Sequence, residues 1–281
     1  MTSNIESDVL GKRPPGPDMG QRASGLLRSV SDSAPQWGSL LVLLVVWEVL
    51  GRSGQLAFLP SVSGVVSAWR ELMGGAQVGY QQGTLPGCLL SSLRALVMGF
   101  SMALVTGTLV GGLMGLSRKV EYFLGIYINA LISTPTSALI PVLFLLFGLG
   151  YPSRVAVVFM FAFSVITVNT YAGVSNIEPE LVEMGRCFGA NQWQLFWKVR
   201  VPNALPLLMA GLRVGLGRAV KGMVIGEMLI AFVGLGYLVK FYGSTFDMEH
   251  LYAVIFSVMV LAVFLTWAVR SLDRRFTHWR E

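Results

Sequence analysis

Residues 176–206, NIEPELVEMGRCFGANQWQLFWKVRVPNALP, lie between two long apolar runs, yet they cannot cross a membrane themselves. Glu178, Glu180, Glu183, Arg186, Lys198 and Arg200 interrupt them, whereas a spanning helix needs about 20 mostly apolar residues. The stretch reads as two short helices around a turn. Asn176 is placed to cap the first, Pro179 is tolerated in its first turn, and Gly189 permits the left-handed conformation that ends it. Asn191 is placed to cap the second, and Pro202 limits its extension. Leu181, Met184 and Phe188 recur at i, i+3 and i+7, and Trp193, Phe196 and Trp197 at i, i+3 and i+4. The loop thus carries an apolar face and a charged face at a membrane edge. Such a face either packs on its own protein or is gripped by something soluble, and periodicity alone favours the first.

The composition sets the wider class. Of 281 residues, 54% are hydrophobic and 13% charged, about half the charged fraction of a soluble domain. A soluble globule of this length could not hide that apolar surface, so an all-α, polytopic membrane protein is expected. The net charge of +6 does not imply nucleic acid, because its distribution follows membrane topology. Cys88 and Cys187 fall on opposite sides of the expected topology and cannot pair.

Taken in order, residues 1–36 read as a flexible tail without the apolar core of a signal peptide. A first span covers 37–54, with Glu48 and Arg52 as an i, i+4 pair. Residues 55–86 form an outer segment holding an amphipathic helix over Val62–Met73 and a loop over Gly74–Pro86. A core of 87–269 follows. Its second span, Gly87–Leu116, carries Gly99, Ala103, Gly107, Gly111 and Gly115 at four-residue intervals, a stripe that lets a neighbouring helix approach closely. Ser117-Arg118-Lys119 is a basic turn. Pro135 and Pro141 break the third span. Irregular backbone at membrane depth is tolerated only inside protein or beside water, so Ser133, Thr134, Pro135 and Thr136 are candidate path-lining residues, with a simple proline kink as the alternative. Tyr151–Arg154 reads as a tight outer turn, Val155–Tyr171 as the fourth span, Pro206–Ile230 as the fifth, Gly234–His250 as irregular outer chain, and Leu251–Val269 as the sixth. Residues 270–281 form a basic tail.

Charge orients these six spans. With both termini inside, thirteen of the 21 Lys and Arg residues fall on the inner side and four on the outer side, as the positive-inside rule requires. Loop 176–206 is then cytosolic.

The spacing of that loop carries a resemblance. Glu183-Met184-Gly185, three residues, Gly189, nine residues, then Val199-Arg200-Val201-Pro202 resembles the EAA loop of the permease subunits of bacterial ABC importers, within the nitrate, sulfonate and taurine type. Met184 and Gly185 depart from the usual two alanines. Leu59-Pro60-Ser61, Ser92-Leu93-Arg94, Ala138-Leu139-Ile140-Pro141, Gly211-Leu212-Arg213, Glu227-Met228 and Gly234-Leu235-Gly236-Tyr237 also resemble family positions in order. Ile132 stands where the family often has a basic residue, which puts an anion contact there in doubt. The resemblance implies the type I ABC importer permease fold with about six transmembrane helices. It implies a bacterial cytoplasmic (inner) membrane location, and a non-catalytic subunit that pairs with a second copy and has no cofactor of its own.

It also implies two ATP-binding ATPase subunits, which the loop meets as a coupling helix, and a periplasmic or lipid-anchored substrate-binding protein. Leu181, Glu183, Met184, Gly185, Phe188, Gly189, Trp193 and Pro202 are the expected coupling residues. No G-x-x-x-x-G-K-[ST] loop occurs, so ATP falls to another chain. Arg213, Arg218, Lys221 and Glu227 lie on the fifth span, where ionisable groups face an interior or a water path. Arg218, Lys221 and Glu227 are candidate path residues for a small anion, with mutual neutralisation by packed partners as the alternative. An ion-coupled secondary transporter is the rival reading. An intramembrane enzyme lacks a nucleophile–base set. Asp247, Glu249 and His250 read as a solvated charge group rather than a metal site.

Overall fold

The computed structural model describes residues 38–39, 41–54, 56, 58–75, 84–230 and 233–277. The expected tail 1–36 lies outside these. The chain divides into a compact unit ending at Val62 and a second from Ser63 onward. In the first, residues 41–52 are helical (α1). Arg52 Nε lies 2.6 Å from Glu48 Oε1, as their spacing predicts, and the Trp47 indole donates to the Pro60 carbonyl at 3.0 Å.

The second unit is built on α2 (Val62–Met73), α3 (Leu85–Leu116), α4 (Arg118–Ser133), α5 (Ile140–Phe147) and α6 (Tyr151–Ser175). It continues with α7 (Pro179–Cys187), α8 (Gln192–Leu195), α9 (Val201–Ile230), α10 (Leu235–Ser244) and α11 (Met248–Thr277). No strand occurs among the described residues. The amphipathic helix expected over Val62–Met73 is α2. It buries Ala68 and Leu72, and the Trp69 indole donates to Ser257 Oγ of α11 at 3.1 Å.

Helix α6 is the centre, held between α3 and α9 by two glycine stripes. The expected stripe on α3 is one of them. A Cβ on Gly99 would meet Val155 and Val158, one on Gly107 Ile166, one on Gly115 Val174, and one on Gly111 the Thr167 carbonyl. The second stripe lies on α9. Gly211 faces Asn169, Gly215 faces Ile166, Gly222 faces Phe161 and Gly226 faces Val157. In lipid, apolar burial gives helices little reason to associate. Close backbone contact, and the dispersion it allows, does that work. Val157, Val158, Ala162 and Ile166 of α6 are at most 1% exposed as a result.

Several boundaries differ from the sequence expectation. Tyr151–Arg154 is the first turn of α6, not a free turn. Pro152 sits where its missing N–H is not needed, and Ser153 Oγ donates to the Gly150 carbonyl at 2.7 Å. Gly234–His250 is mostly helical: α10 starts after Gly234, whose φ of 119° only glycine adopts readily. The basic turn shrinks to Ser117, since Arg118 already opens α4.

The third span is broken as expected. After Thr134 the chain passes through extended Pro135 and a 3-10 turn over Thr136–Leu139, and the helices on either side bend by 96°. Among the described residues, three helices are long and apolar enough to cross a membrane: α3, α6 and Met248–Ser271 of α11. Counting the bent pair makes up to four. The six expected spans are therefore not six straight apolar rods. Helix α9 is 30 residues long but carries Arg213, Arg218, Lys221 and Glu227, and the first apolar segment is described as helix over 38–39 and 41–52.

Candidate functional site

The loop of residues 176–206 folds as two short helices with a tight corner, and local chemistry fixes the corner. Gly189 has φ of +75° with open space around it. Its N–H donates to the Arg186 carbonyl at 2.9 Å, and that of Ala190 to the Gly185 carbonyl at 3.1 Å, which satisfies the end of α7. Asn191 Oδ1 accepts from the Gln194 N–H at 2.8 Å, while Gln194 Oε1 accepts from the Asn191 N–H at 2.9 Å, a reciprocal capping box for α8. Gly185 explains a departure from the alanine pattern: a Cβ there would lie 2.6 Å from Leu195 Cδ2, and Leu195 is 1% exposed. A glycine at 185 thus lets α7 and α8 close on each other.

Two expectations for this loop are corrected. Asn176 does not cap α7. It ends α6, its N–H donating to the Ala172 carbonyl at 3.1 Å, and α7 begins at Pro179 after Glu178. Pro202 does not end the second helix. Phe196–Arg200 forms a single wide turn in which the Val201 N–H reaches back five residues to the Phe196 carbonyl. That turn absorbs the N–H that Pro202 lacks, and the helix continues into α9. Asn203 Nδ2 donates to the Val199 carbonyl at 2.8 Å at the same place.

The loop's apolar side chains point outward. Phe188 is 86% exposed, Trp193 70%, Met184 55% and Trp197 52%. Trp193, Phe196 and Trp197 form one aromatic cluster with ring centroids 5.2–6.3 Å apart. Glu183 is also exposed, whereas Leu181, Gly185 and Pro202 are half-buried.

The expected path residues separate into two groups. Ser133 and Pro135 are exposed and Thr134 and Thr136 half-buried, around the break after α4. Arg218 and Lys221 are exposed on α9. Glu227 is not with them. It is 1% exposed and sits in a polar node that joins four helices. Ser92 Oγ of α3 lies 2.9 and 2.8 Å from its two oxygens and donates one hydrogen bond to the pair. The Gly236 N–H of α10 donates to Oε2 at 3.0 Å. Arg154 Nη1 of α6 lies 3.4 Å from Oε1 and also donates to Ser91 Oγ at 3.1 Å. Ser92 Oγ in turn accepts from the Leu235 N–H at 2.9 Å.

Glycine is required at two positions where α10 begins, because a Cβ on Gly234 or Gly236 would collide with Glu227. Sequence reasoning missed Ser92, Arg154 and Gly236 as partners of Glu227. All three lie within stretches that stand out in the sequence, but nothing local connects them. The group Asp247, Glu249 and His250 forms no metal cluster among the described residues. There, His250 Nδ1 lies 2.9 Å from an Asp247 oxygen, and its ring stacks on Tyr242 at 5.1 Å.

Comparison with known proteins places this geometry. Residues 95–278 match the family described as binding-protein-dependent transport system inner membrane component. The chain is 30% identical over 244 residues to the taurine transport system permease protein of Escherichia coli, covering 86% of this chain and 88% of that one. It is 32% identical over 242 residues to the formylaminopyrimidine transport permease protein of Halalkalibacterium halodurans, covering 86% and 94%. Among solved structures, an inward-facing methionine ABC transporter chain superposes with a TM-score of 0.59 at 22% identity, covering 67% of this chain and 94% of that one, a likeness of fold.

Proposed function

The chain belongs to the binding-protein-dependent transport inner membrane component family and is the permease subunit of an ABC importer, and from that premise we propose how it is driven and what it carries. The loop Pro179–Arg200 is the coupling element. Met184, Phe188, Trp193 and Trp197 enter a cleft of an ATP-binding subunit, Leu181 and Glu183 flank that contact, Gly185 and Gly189 shape it, and Pro202 joins it to α9. The observation that carries this reading is the combination of exposure and rigidity. Large apolar side chains stand in solvent on a corner closed by the Gly189 turn and the Asn191–Gln194 capping box, a surface suited to being pushed. The wide turn at Phe196–Arg200 runs without interruption into α9, so a push on the corner is a push on a 30-residue rod.

ATP is bound and hydrolysed by two partner subunits, with no cofactor on this chain. A binding protein delivers cargo on the opposite face, and a second copy of this chain completes the path. The thirteen-to-four bias of Lys and Arg supports a cytosolic loop and cytosolic termini in a bacterial inner membrane. For the cargo we favour a small organic or inorganic anion, such as a sulfonate. Arg218 and Lys221 support this, as exposed cations within a membrane helix. Relatives named for taurine and for formylaminopyrimidine show how widely cargo varies around one scaffold.

The decisive experiment is co-purification with an ATPase and measurement of ATP-dependent uptake. Replacing Phe188 and Trp193 by Ser should abolish coupled uptake while the protein remains folded in the membrane. Wild-type uptake by that variant removes the coupling assignment.

A further inference from the structure

A second polar feature lies apart from both groups of residues above. Helices α3, α4 and α6 enclose a cleft of about 580 Å³ lined in part by Arg118, Glu121, Tyr122, Asn129, Val168 and Tyr171. The volume falls in the range of small-molecule sites. Its lining combines one cation, one carboxylate, an amide and two phenols with aliphatic surface. Arg118 and Glu121 are three residues apart on α4, so both can face the cleft, yet no ion pair joins them among the described residues. The Tyr171 hydroxyl of α6 donates to Glu121 Oε1, which holds the carboxylate across the cleft and leaves its second oxygen available.

At 100° per residue, Arg118, Tyr122, Gly125, Asn129 and Ser133 fall within about 80° of one another, a stripe about 22 Å long. It runs from the cleft to the break at Thr134-Pro135, where the candidate path lies.

We propose that this cleft binds a small zwitterion, an ammonium joined by a short chain to a sulfonate or carboxylate, as cargo leaves the path. The proposal rests on the importer reading and sharpens its cargo class. The planar guanidinium of Arg118 matches a carboxylate or sulfonate edge. Glu121 receives the ammonium, and Tyr122 and Val168 cover the chain between them. A plain anion gains Arg118 but faces the charge of Glu121, and a plain cation meets the reverse. The ligand carrying both charges is the one for which neither side chain is a penalty.

The test uses the full permease–ATPase complex with Cys187→Ser, which removes the exposed native thiol, and Gly125→Cys, a cleft position where a Cβ meets nothing within 4 Å. The rate of maleimide labelling at 125 is followed with 2-aminoethanesulfonate, ethanesulfonate and ethylamine as probes. The zwitterion should slow labelling at lower concentration than either half-molecule. Arg118→Gln and Glu121→Gln should each raise the concentration it needs about tenfold, whereas for ethanesulfonate Arg118→Gln should raise the concentration needed and Glu121→Gln should lower it. Labelling that no probe slows, or protection that neither substitution weakens, overturns the site while the importer reading stands. A parent complex that fails to assemble with an ATPase takes away the importer reading and this proposal together.

Discussion

Glu227 and Phe188 are opposite solutions to the same problem of an expensive side chain. Glu227 is a carboxylate on a membrane helix, 1% exposed, and it meets a serine hydroxyl, a backbone N–H and a guanidinium from three other helices. Phe188 is an aromatic ring outside the spans, and it is 86% exposed. The glycines beside them follow the same division. Gly234 and Gly236 have no room for a Cβ, whereas Gly189 has open space and is needed for its φ of +75° alone. The node around Glu227 is therefore complete within this chain, and the corner around Phe188 leaves its apolar side chains uncovered by it. Substitutions in the first should be read in stability, and in the second in association.

The largest effect is expected at the node. Glu227→Ala leaves Arg154 and the Gly236 N–H without their partner and should cost about 3–5 kcal/mol, as removing one member of a buried pair does. Thermal melting of the purified complex reads this, and an unchanged midpoint would show the node to be dispensable. Phe188→Ala should leave melting unchanged and weaken ATPase association by about 2 kcal/mol, the scale of an interfacial hot spot. A titration of permease with ATPase subunit measures it. A drop in melting temperature with intact association would reverse the contrast between the two regions.

Between these lies packing. Gly111→Leu forces α3 off the Thr167 carbonyl and should lower stability by about 1–3 kcal/mol, visible as a lower melting midpoint. Gly189→Ala strains a left-handed backbone by about 1–2 kcal/mol. Because a Cβ at 189 meets nothing within 4 Å, the loss should appear in coupled uptake per ATP hydrolysed more than in melting. The smallest effect is Asn191→Ala, about 1 kcal/mol through the lost cap of α8, measured as faster amide exchange at Gln194.

The corner was legible because its determinants are local. Gly189, Asn191 and the 3.6-residue repeat of Trp193, Phe196 and Trp197 act within one or two turns, and their spacing with Glu183 marked the family. Asn176 was misread for a tertiary reason. It has the chemistry of an N-cap, but Gly173 packs on Ala204 and Leu207 of α9, which holds α6 helical to Ser175 and makes Asn176 its end. Pro202 was misread because a proline is a stop only when the preceding turn keeps its regular pitch, and a wide turn removes that constraint. For Glu227, spacing along the fifth span offers as charged neighbours only Arg213, Arg218 and Lys221 of the same helix. The partners it found come from Ser92, Arg154 and Gly236, up to 135 residues away.

By itself, the sequence determined the membrane class, the α3 stripe, the broken third span and the capped, aromatic corner, since each follows from composition or from neighbours within a few residues. The tertiary structure decided which charges are enclosed and which are open. It paired Glu227 with Arg154, left Arg218 and Lys221 exposed, set a second glycine stripe on α9 against α6, and opened a cleft beside Arg118 and Glu121. A charge's cost in a membrane depends on what three-dimensional packing brings within about 3 Å of it, and one-dimensional spacing carries no record of that.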